Sequence, residues 1–220
     1  MKTLKLALVL SALPLAAAAQ DAVKVDPAHY KVMIDNPSVR VLKVTYAPKA
    51  KSPMHSHPDA LLVSLQDSKV QFTLPDGKTQ DMEVGQETAS YTPAATHSPT
   101  NVGTTPVDAI LVEFKAKEPG TASLPTSRPG MDIKVLAESP RATAYKTMPA
   151  ADFHEDPGTT HDYDQVVISL GANDMSLAVE GKPVMTKWQR GTAYFIGRGV
   201  KHESKNLSAR PTAFVIVAIK

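Results

Sequence analysis

Pro53-Met54-His55-Ser56-His57-Pro58, answered forty residues later by His97, is the stretch around which the chain is organised. Side chains in an extended segment alternate with period 2, so an H-x-H pair puts both imidazoles on one face. Asp81 to Ser90 reads as a turn and a further strand, and Pro93-Ala94-Ala95-Thr96-His97 follows it. With that strand beside the first, His55, His57 and His97 bring three neutral imidazoles to one side of a divalent cation. The plain alternative is two exposed loop histidines and an unrelated third.

Outward from this stretch, the same pattern comes twice. Tyr30 to Pro37 recurs as Ile133 to Pro140, displaced by 103, and Leu61 to Leu65 recurs as Val166 to Leu170, displaced by 105. Gly77-Lys78 returns as Gly181-Lys182, and His97 and Asn101 return as His202 and Asn206. Pro106 to Lys115 matches Pro211 to Lys220, an apolar strand ending in lysine each time. A nearly constant displacement across so many segments marks an internal duplication.

Each unit reads as short strands separated by Pro, Gly, Asp and Asn. Val39 to Tyr46, Leu61 to Leu65, Val70 to Leu74, Gln80 to Val84 and Ala109 to Lys115 are strand candidates, rich in Val, Leu and Thr. Eighteen prolines and eleven glycines punctuate the chain, and no long stretch carries a 3.6-residue apolar period. An all-β chain follows, with an antiparallel sandwich or barrel in each unit. Glu118-Pro119-Gly120 opens a linker that Arg128-Pro129-Gly130 closes. The expected organisation is a signal segment at 1–19, a first unit at 20–117, a linker at 118–130 and a second unit at 131–220.

The signal segment is read from Lys2 and Lys5, the largely apolar run Leu6 to Leu15, and the small residues Ala17-Ala18-Ala19. This is the form of a secretory signal peptide, and the run is too short to span a membrane. Cleavage after Ala19 removes two lysines and no acids. Basic residues then fall from 24 to 22 against 22 acids, so the mature chain is neutral with its histidines uncharged. No basic block interleaved with aromatics points to nucleic acid, and no second apolar stretch points to a membrane anchor. Cysteine is absent, which excludes disulfides, thiolate ligands and a cysteine nucleophile. Export across the inner membrane to the periplasm is the expectation.

An H-x-H motif followed by a glycine-led strand ending in H-x-x-x-N resembles the cupin superfamily. The first unit shows it in Pro53 to Pro58 and Gly85 to Asn101, the second in His161 to Gln165 and Gly191 to Asn206. The resemblance implies a bicupin: two tandem jelly-roll barrels, each a double-stranded β-helix. It further implies a divalent metal held by two histidines and a carboxylate of the first motif and the histidine of the second. His55, His57 and His97 take the histidine places in the first unit, but Leu61 and Leu62 stand where the carboxylate belongs. In the second unit His161, Gln165 and His202 form a possible weaker site, with Thr159 at the first histidine place. His154-Glu155-Asp156 reads as a solvated loop. Asn101 and Asn206 are expected to tie down the turn after the second-motif strand.

Three neutral ligands leave the cation's charge uncompensated and coordination positions open, which suits a small, anionic or chelating ligand. Cupins with three histidines on ferrous iron include dioxygenases, so the resemblance implies Fe2+ first, with Mn2+, Ni2+ or Zn2+ as other options. The expected function is a metal-dependent dioxygenase acting on a small organic acid; the alternatives are a non-catalytic periplasmic binding protein, or a structural bicupin that pairs as a homodimer through its sheets.

Overall fold

The computed structural model describes residues 20–115, 122 and 124–220. The expected signal segment at 1–19 and most of the first part of the linker lie outside the described residues.

In the first half, a four-residue helix α1 (Ala22–Val25) is capped by the Asp21 carboxylate, which accepts from Val23 N at 3.0 Å. The strands are β1 (Tyr30–Asp35), β2 (Val39–Tyr46), β3 (His55–His57), β4 (Ala60–Ser64), β5 (Ser68–Thr73), β6 (Thr79–Val84), β7 (Ala89–Thr92), β8 (Ala95–Asn101) and β9 (Val107–Phe114). They form a five-stranded sheet, β1-β2-β9-β4-β7, and a four-stranded sheet, β3-β8-β5-β6. The second half repeats the plan with β10 (Met131–Glu138), β11 (Ala142–Pro149), β12 (Asp164–Ser169), β13 (Met175–Val179), β14 (Lys182–Met185), β15 (Ala193–Ile196), β16 (His202–Asn206) and β17 (Phe214–Ile219). Its sheets are β10-β11-β17-β12-β15 and β14-β13-β16. All ladders between these strands are antiparallel.

The duplication extends to irregularities. β1 slips register against β2 between Val32 and Ile34, and β10 slips against β11 between Val135 and Ala137, the same place in each unit. One strand is not repeated. The segment answering β3 is irregular in the second half, touching its neighbour through isolated bridges at His154 to Lys205 and Thr159 to His202.

Alternation along the large-sheet strands divides their side chains between two cores. In β4, Leu61 and Val63 face one way, while Ala60 and Leu62 face the interior of the first barrel. Val166 and Ile168 of β12 face the same core as Leu61 and Val63, and so do Ile110 and Val112 of β9 and Val215 and Val217 of β17. The two five-stranded sheets therefore pack back to back, and the most extensive apolar core lies between the halves. Fully burying each Val, Leu or Ile there contributes about 1.5–3 kcal/mol. Lys146–Glu87 at 2.6 Å and Arg141–Asp59 at 3.3 Å cross the edge of this seam. Each barrel keeps its own smaller interior cluster, and those interiors hold the candidate sites.

Candidate metal centres in the two barrels

β3 pairs with β8 so that His55 faces His97 directly, with His57 two residues along on the same face. Ring centroids lie 5.2 Å apart for His55 and His97 and 4.9 Å for His57 and His97. The three imidazoles named from the spacing thus lie together and line a cavity of about 80 Å3 with apolar groups such as Leu62, Phe72 and Leu111. Burial, with His57 and His55 nearby, pushes the His97 pKa down to about 3; burial also lowers that of His55. Both are neutral near pH 7.

His55 Nδ1 lies 2.8 Å from Pro53 O, and a carbonyl only accepts, so Nδ1 carries the proton. Its Nε2 is therefore an acceptor, and the Tyr30 hydroxyl donates to it at 3.0 Å. Burial raises the Tyr30 pKa, so that hydroxyl stays protonated as a donor. His57 Nδ1 donates to Pro58 O at 2.8 Å, leaving its Nε2 as the lone-pair nitrogen. His57 is thus set to bind a cation, whereas His55 must first exchange its tyrosine partner.

Register also relocates the carboxylate place of this unit. β4 and β12 are equivalent, and the residue answering Gln165 is Ala60, not Leu61 or Leu62. Leu61 points into the seam between the halves, and Leu62 lines the cavity.

In the second barrel, one oxygen of Glu155 and one nitrogen each of His161 and His202 lie within 4.8 Å of one another. Among the described residues this is the group of three donors that closes so tightly. The sequence reading named His161, Gln165 and His202 for this barrel; the group that closes holds His161 and His202 with Glu155 in the third place, and Gln165 stands beside it. The solvated-loop expectation for His154-Glu155-Asp156 holds for the two flanking residues, both exposed, but not for Glu155, which is 5% exposed. Because no strand answers β3 here, the irregular segment can turn Glu155 inward, and Glu155 N donates to Ser204 O at 2.8 Å. Ser204 Oγ donates to Glu155 Oε2 at 2.9 Å, and Arg128 pairs with Oε1. The signal available in the sequence was weak: one acid in a polar tripeptide, with nothing to fix which side chain turns in.

His202 is held as His55 is. Its Nδ1 donates to Val200 O at 3.1 Å, which leaves Nε2 as acceptor, and Gln165 Nε2 lies 3.4 Å from it. Glu155 Oε2 is 3.7 Å from the same nitrogen. His161 stacks on Tyr163, with ring centroids 4.9 Å apart, and burial and His202 push its pKa down to about 4. The cavity beside these groups is about 60 Å3, walled by apolar side chains including Trp188, Met175 and Leu177. Trp188 packs as core and donates to Met175 O at 2.8 Å. One carboxylate and two imidazoles are a donor set that divalent transition metals accept, so the residues fit such an ion.

No protein-family model matches the sequence, and no curated protein matches it. Solved structures do match. A cupin 2 conserved barrel domain protein from Leptotrichia buccalis is 11% identical, with a TM-score of 0.55 over 87% of this chain and 88% of its own. The salicylate 1,2-dioxygenase of Pseudoaminobacter salicylatoxidans, solved with gentisate, is 13% identical, with a TM-score of 0.60 over 83% of this chain and 68% of its own. The oxalate decarboxylase of Bacillus subtilis, with Mn(II) centres, is 12% identical, with a TM-score of 0.58 over 83% and 69%. Likeness at these identities is likeness of fold.

Proposed function

From a chain that carries the cupin fold twice in tandem, we propose a metal-binding protein that acts on a small molecule, with its best-formed centre in the second barrel. The observation that carries this is the closure of Glu155, His161 and His202 to within 4.8 Å beside an apolar cavity. Ser204 and Arg128 orient the carboxylate, and Val200 O and Gln165 fix the His202 tautomer and ring, the supporting bonds that set metal ligands in place. A bound divalent ion would supply a Lewis acid and a template for an anionic ligand. A 60 Å3 cavity is well below the roughly 150 Å3 that accommodates benzene, so the ligand that fits without rearrangement has only a few heavy atoms.

His55, His57 and His97 form the second centre in this proposal. Its support is the packing of three imidazoles in the wall of a largely apolar cavity. Ferrous iron and dioxygen-dependent oxidation of a small organic acid are the finer form of the proposal, since neutral imidazoles leave an open, positively charged site for a chelating acid. Export to the periplasm is part of it, supported by the leader-like residues 1–19.

The test is metal content of anaerobically purified protein beside two double variants, His161→Ala/His202→Ala and His55→Ala/His97→Ala. The expected result is bound transition metal that falls in each variant by the share of its barrel. Oxygen uptake with a panel of small acids then separates an oxidase from a carrier that binds the acid without turnover. Metal-free protein after reconstitution would sink the proposal. Intact-mass measurement of the exported protein checks cleavage after Ala19.

A further inference from the structure

Arg128 stands in the wall of the second cavity with Glu155, His161, Gln165 and His202, and its guanidinium pairs with Glu155 Oε1. The Glu155 side chain is 3% exposed, so the pair lies beneath the surface. Arg128 belongs to none of the barrel's strands. It sits in the segment that leads into β10, where Met131 N donates to Arg128 O at 3.2 Å and Ala150 N donates to Gly130 O at 2.8 Å. The guanidinium also lies over the Phe153 ring, 5.9 Å from its centroid.

The same segment covers the outside of the site. Leu124 packs on the cluster of Tyr145, Tyr163 and Ala218. Leu124 and Pro125 also wall an outer cleft of about 680 Å3, together with Thr160, His161 and Gly199. His161 borders both this cleft and the inner cavity. Residues 124–128 thus run from the cleft outside His161 to the carboxylate within.

The first barrel is arranged differently. By the register of β1 and β10, Val25 holds the place of Arg128. Among the described residues, no Arg, Lys, Asp or Glu lines the first cavity. Its buried acid, Glu113 of β9, faces Ala60 of β4 and pairs with Arg40, which pairs in turn with Asp21. The second barrel instead keeps an ion pair inside its chamber, and one member of the pair arrives on the linker.

A guanidinium does not give up its proton in a folded protein, so Arg128 is a fixed positive charge on the carboxylate that a divalent ion would use. Two positive charges in one apolar chamber repel each other with little screening. The ion and the guanidinium therefore compete for Glu155. Arg128 neutralises and orients that carboxylate while the barrel is empty, and an arriving ion takes over its part.

We propose that Arg128 is a latch: its pair with Glu155 holds residues 124–128 closed over the second cavity, and a divalent cation bound at Glu155, His161 and His202 displaces it and loosens the segment. This inference rests on the second-barrel centre proposed above. By linkage, opening the latch strengthens ion binding by the same factor by which the ion favours the open latch.

The experiment uses the full chain carrying His55→Ala/His97→Ala, so that the second barrel alone is read. The chain has no cysteine, so Thr126→Cys, at an exposed position, gives one place on the segment for a nitroxide label. Zn2+ is titrated by calorimetry, and the label's spectrum and the melting temperature are recorded. Zn2+ is expected to make the label more mobile. Arg128→Gln is expected to show the mobile spectrum without Zn2+ and to bind Zn2+ about tenfold more tightly. A residue that only orients its carboxylate gives the opposite sign, since losing such a support weakens metal binding. Weaker or unchanged Zn2+ binding in Arg128→Gln, or a label that Zn2+ leaves unchanged, would overturn the inference and leave the second centre standing. Should Arg128→Gln prove unstable, the label in the parent chain decides: mobility gained with Zn2+ supports the latch, and none overturns it. No Zn2+ bound in the parent chain would sink the second centre itself, and the inference with it.

Discussion

At the scale of single residues, the first barrel turns on the bond between Tyr30 and His55. Replacing Tyr30 by Phe removes one buried hydrogen bond and leaves His55 Nε2 unpaired in an apolar setting. The expected cost is about 1–2 kcal/mol, read as a lower urea midpoint in metal-free protein. The same substitution frees the Nε2 lone pair, so metal binding to the first barrel is expected to strengthen while the fold weakens. The imidazoles themselves were legible in the sequence, because an H-x-H spacing in a strand has a fixed geometric meaning. Glu155 and Glu113 were not picked out. The first sits in an irregular segment, where no period says which side chain turns inward. The second did leave a trace: it is the acid in the otherwise apolar, alternating run of Ala109 to Phe114, on the face of Ala109 and Leu111. An acid on an apolar face of a strand needs a reason, and the pairing with Arg40, far off in sequence, supplies it.

At the scale of elements, the paired asparagines do what their positions suggested. Asn206 Nδ2 donates to Ala150 O and Arg210 O at 2.8 and 2.9 Å, and its Oδ1 accepts from Ser208 N at 2.9 Å. Asn101 binds Thr105 O and Gly103 N in the same way and reaches Tyr46 O as well. Each ties the turn after a second-motif strand to a neighbouring segment. Asn206→Ala strands several of these groups in a buried place, so a loss of about 3 kcal/mol is expected in chemical denaturation. Leu207 and Ser208 should then gain amide exchange before the strands do. Strand positions were readable to within a residue or two, because Val, Leu and Thr runs bounded by Pro and Gly leave few choices. The unequal treatment of β3 was not. Its loss in the second half depends on how residues 154–163 settle against β16, which no local pattern encodes.

At the scale of the molecule, the seam between the halves is the main store of apolar burial, and the two halves are expected to unfold together in one transition. Gly191 probes this seam. It has φ of +79°, and a methyl placed on it would meet Leu65 Cδ1 of the other half at 2.9 Å. Gly191→Ala is expected to cost about 1–3 kcal/mol from the left-handed backbone and the overpacking together, and to lower the single melting transition without splitting it. Acid acts on both barrels. Burial holds His97 at a pKa of about 3 and His161 at about 4, while unfolded histidine titrates near 6.5. Below pH 6.5 the unfolded metal-free chain takes up protons that the folded chain refuses, so the stability these groups contribute is complete above that pH. It declines as pH falls toward 4 and then 3. Urea midpoints at pH 7 and pH 5 check this, with the lower midpoint expected at pH 5.

The seam has a consequence for how the two pockets can change. When two identical chains form a symmetric pair, any substitution made in one pocket is made in the other as well. Here the two barrels are joined in one polypeptide, and that obligation is gone. Glutamate over alanine in one barrel and glutamine under alanine in the other is an arrangement that a pair of identical subunits could not adopt. Joined in one chain, each chamber has its own separate inheritance, so the two can be specialised for different ions or guests without disturbing the wall they share.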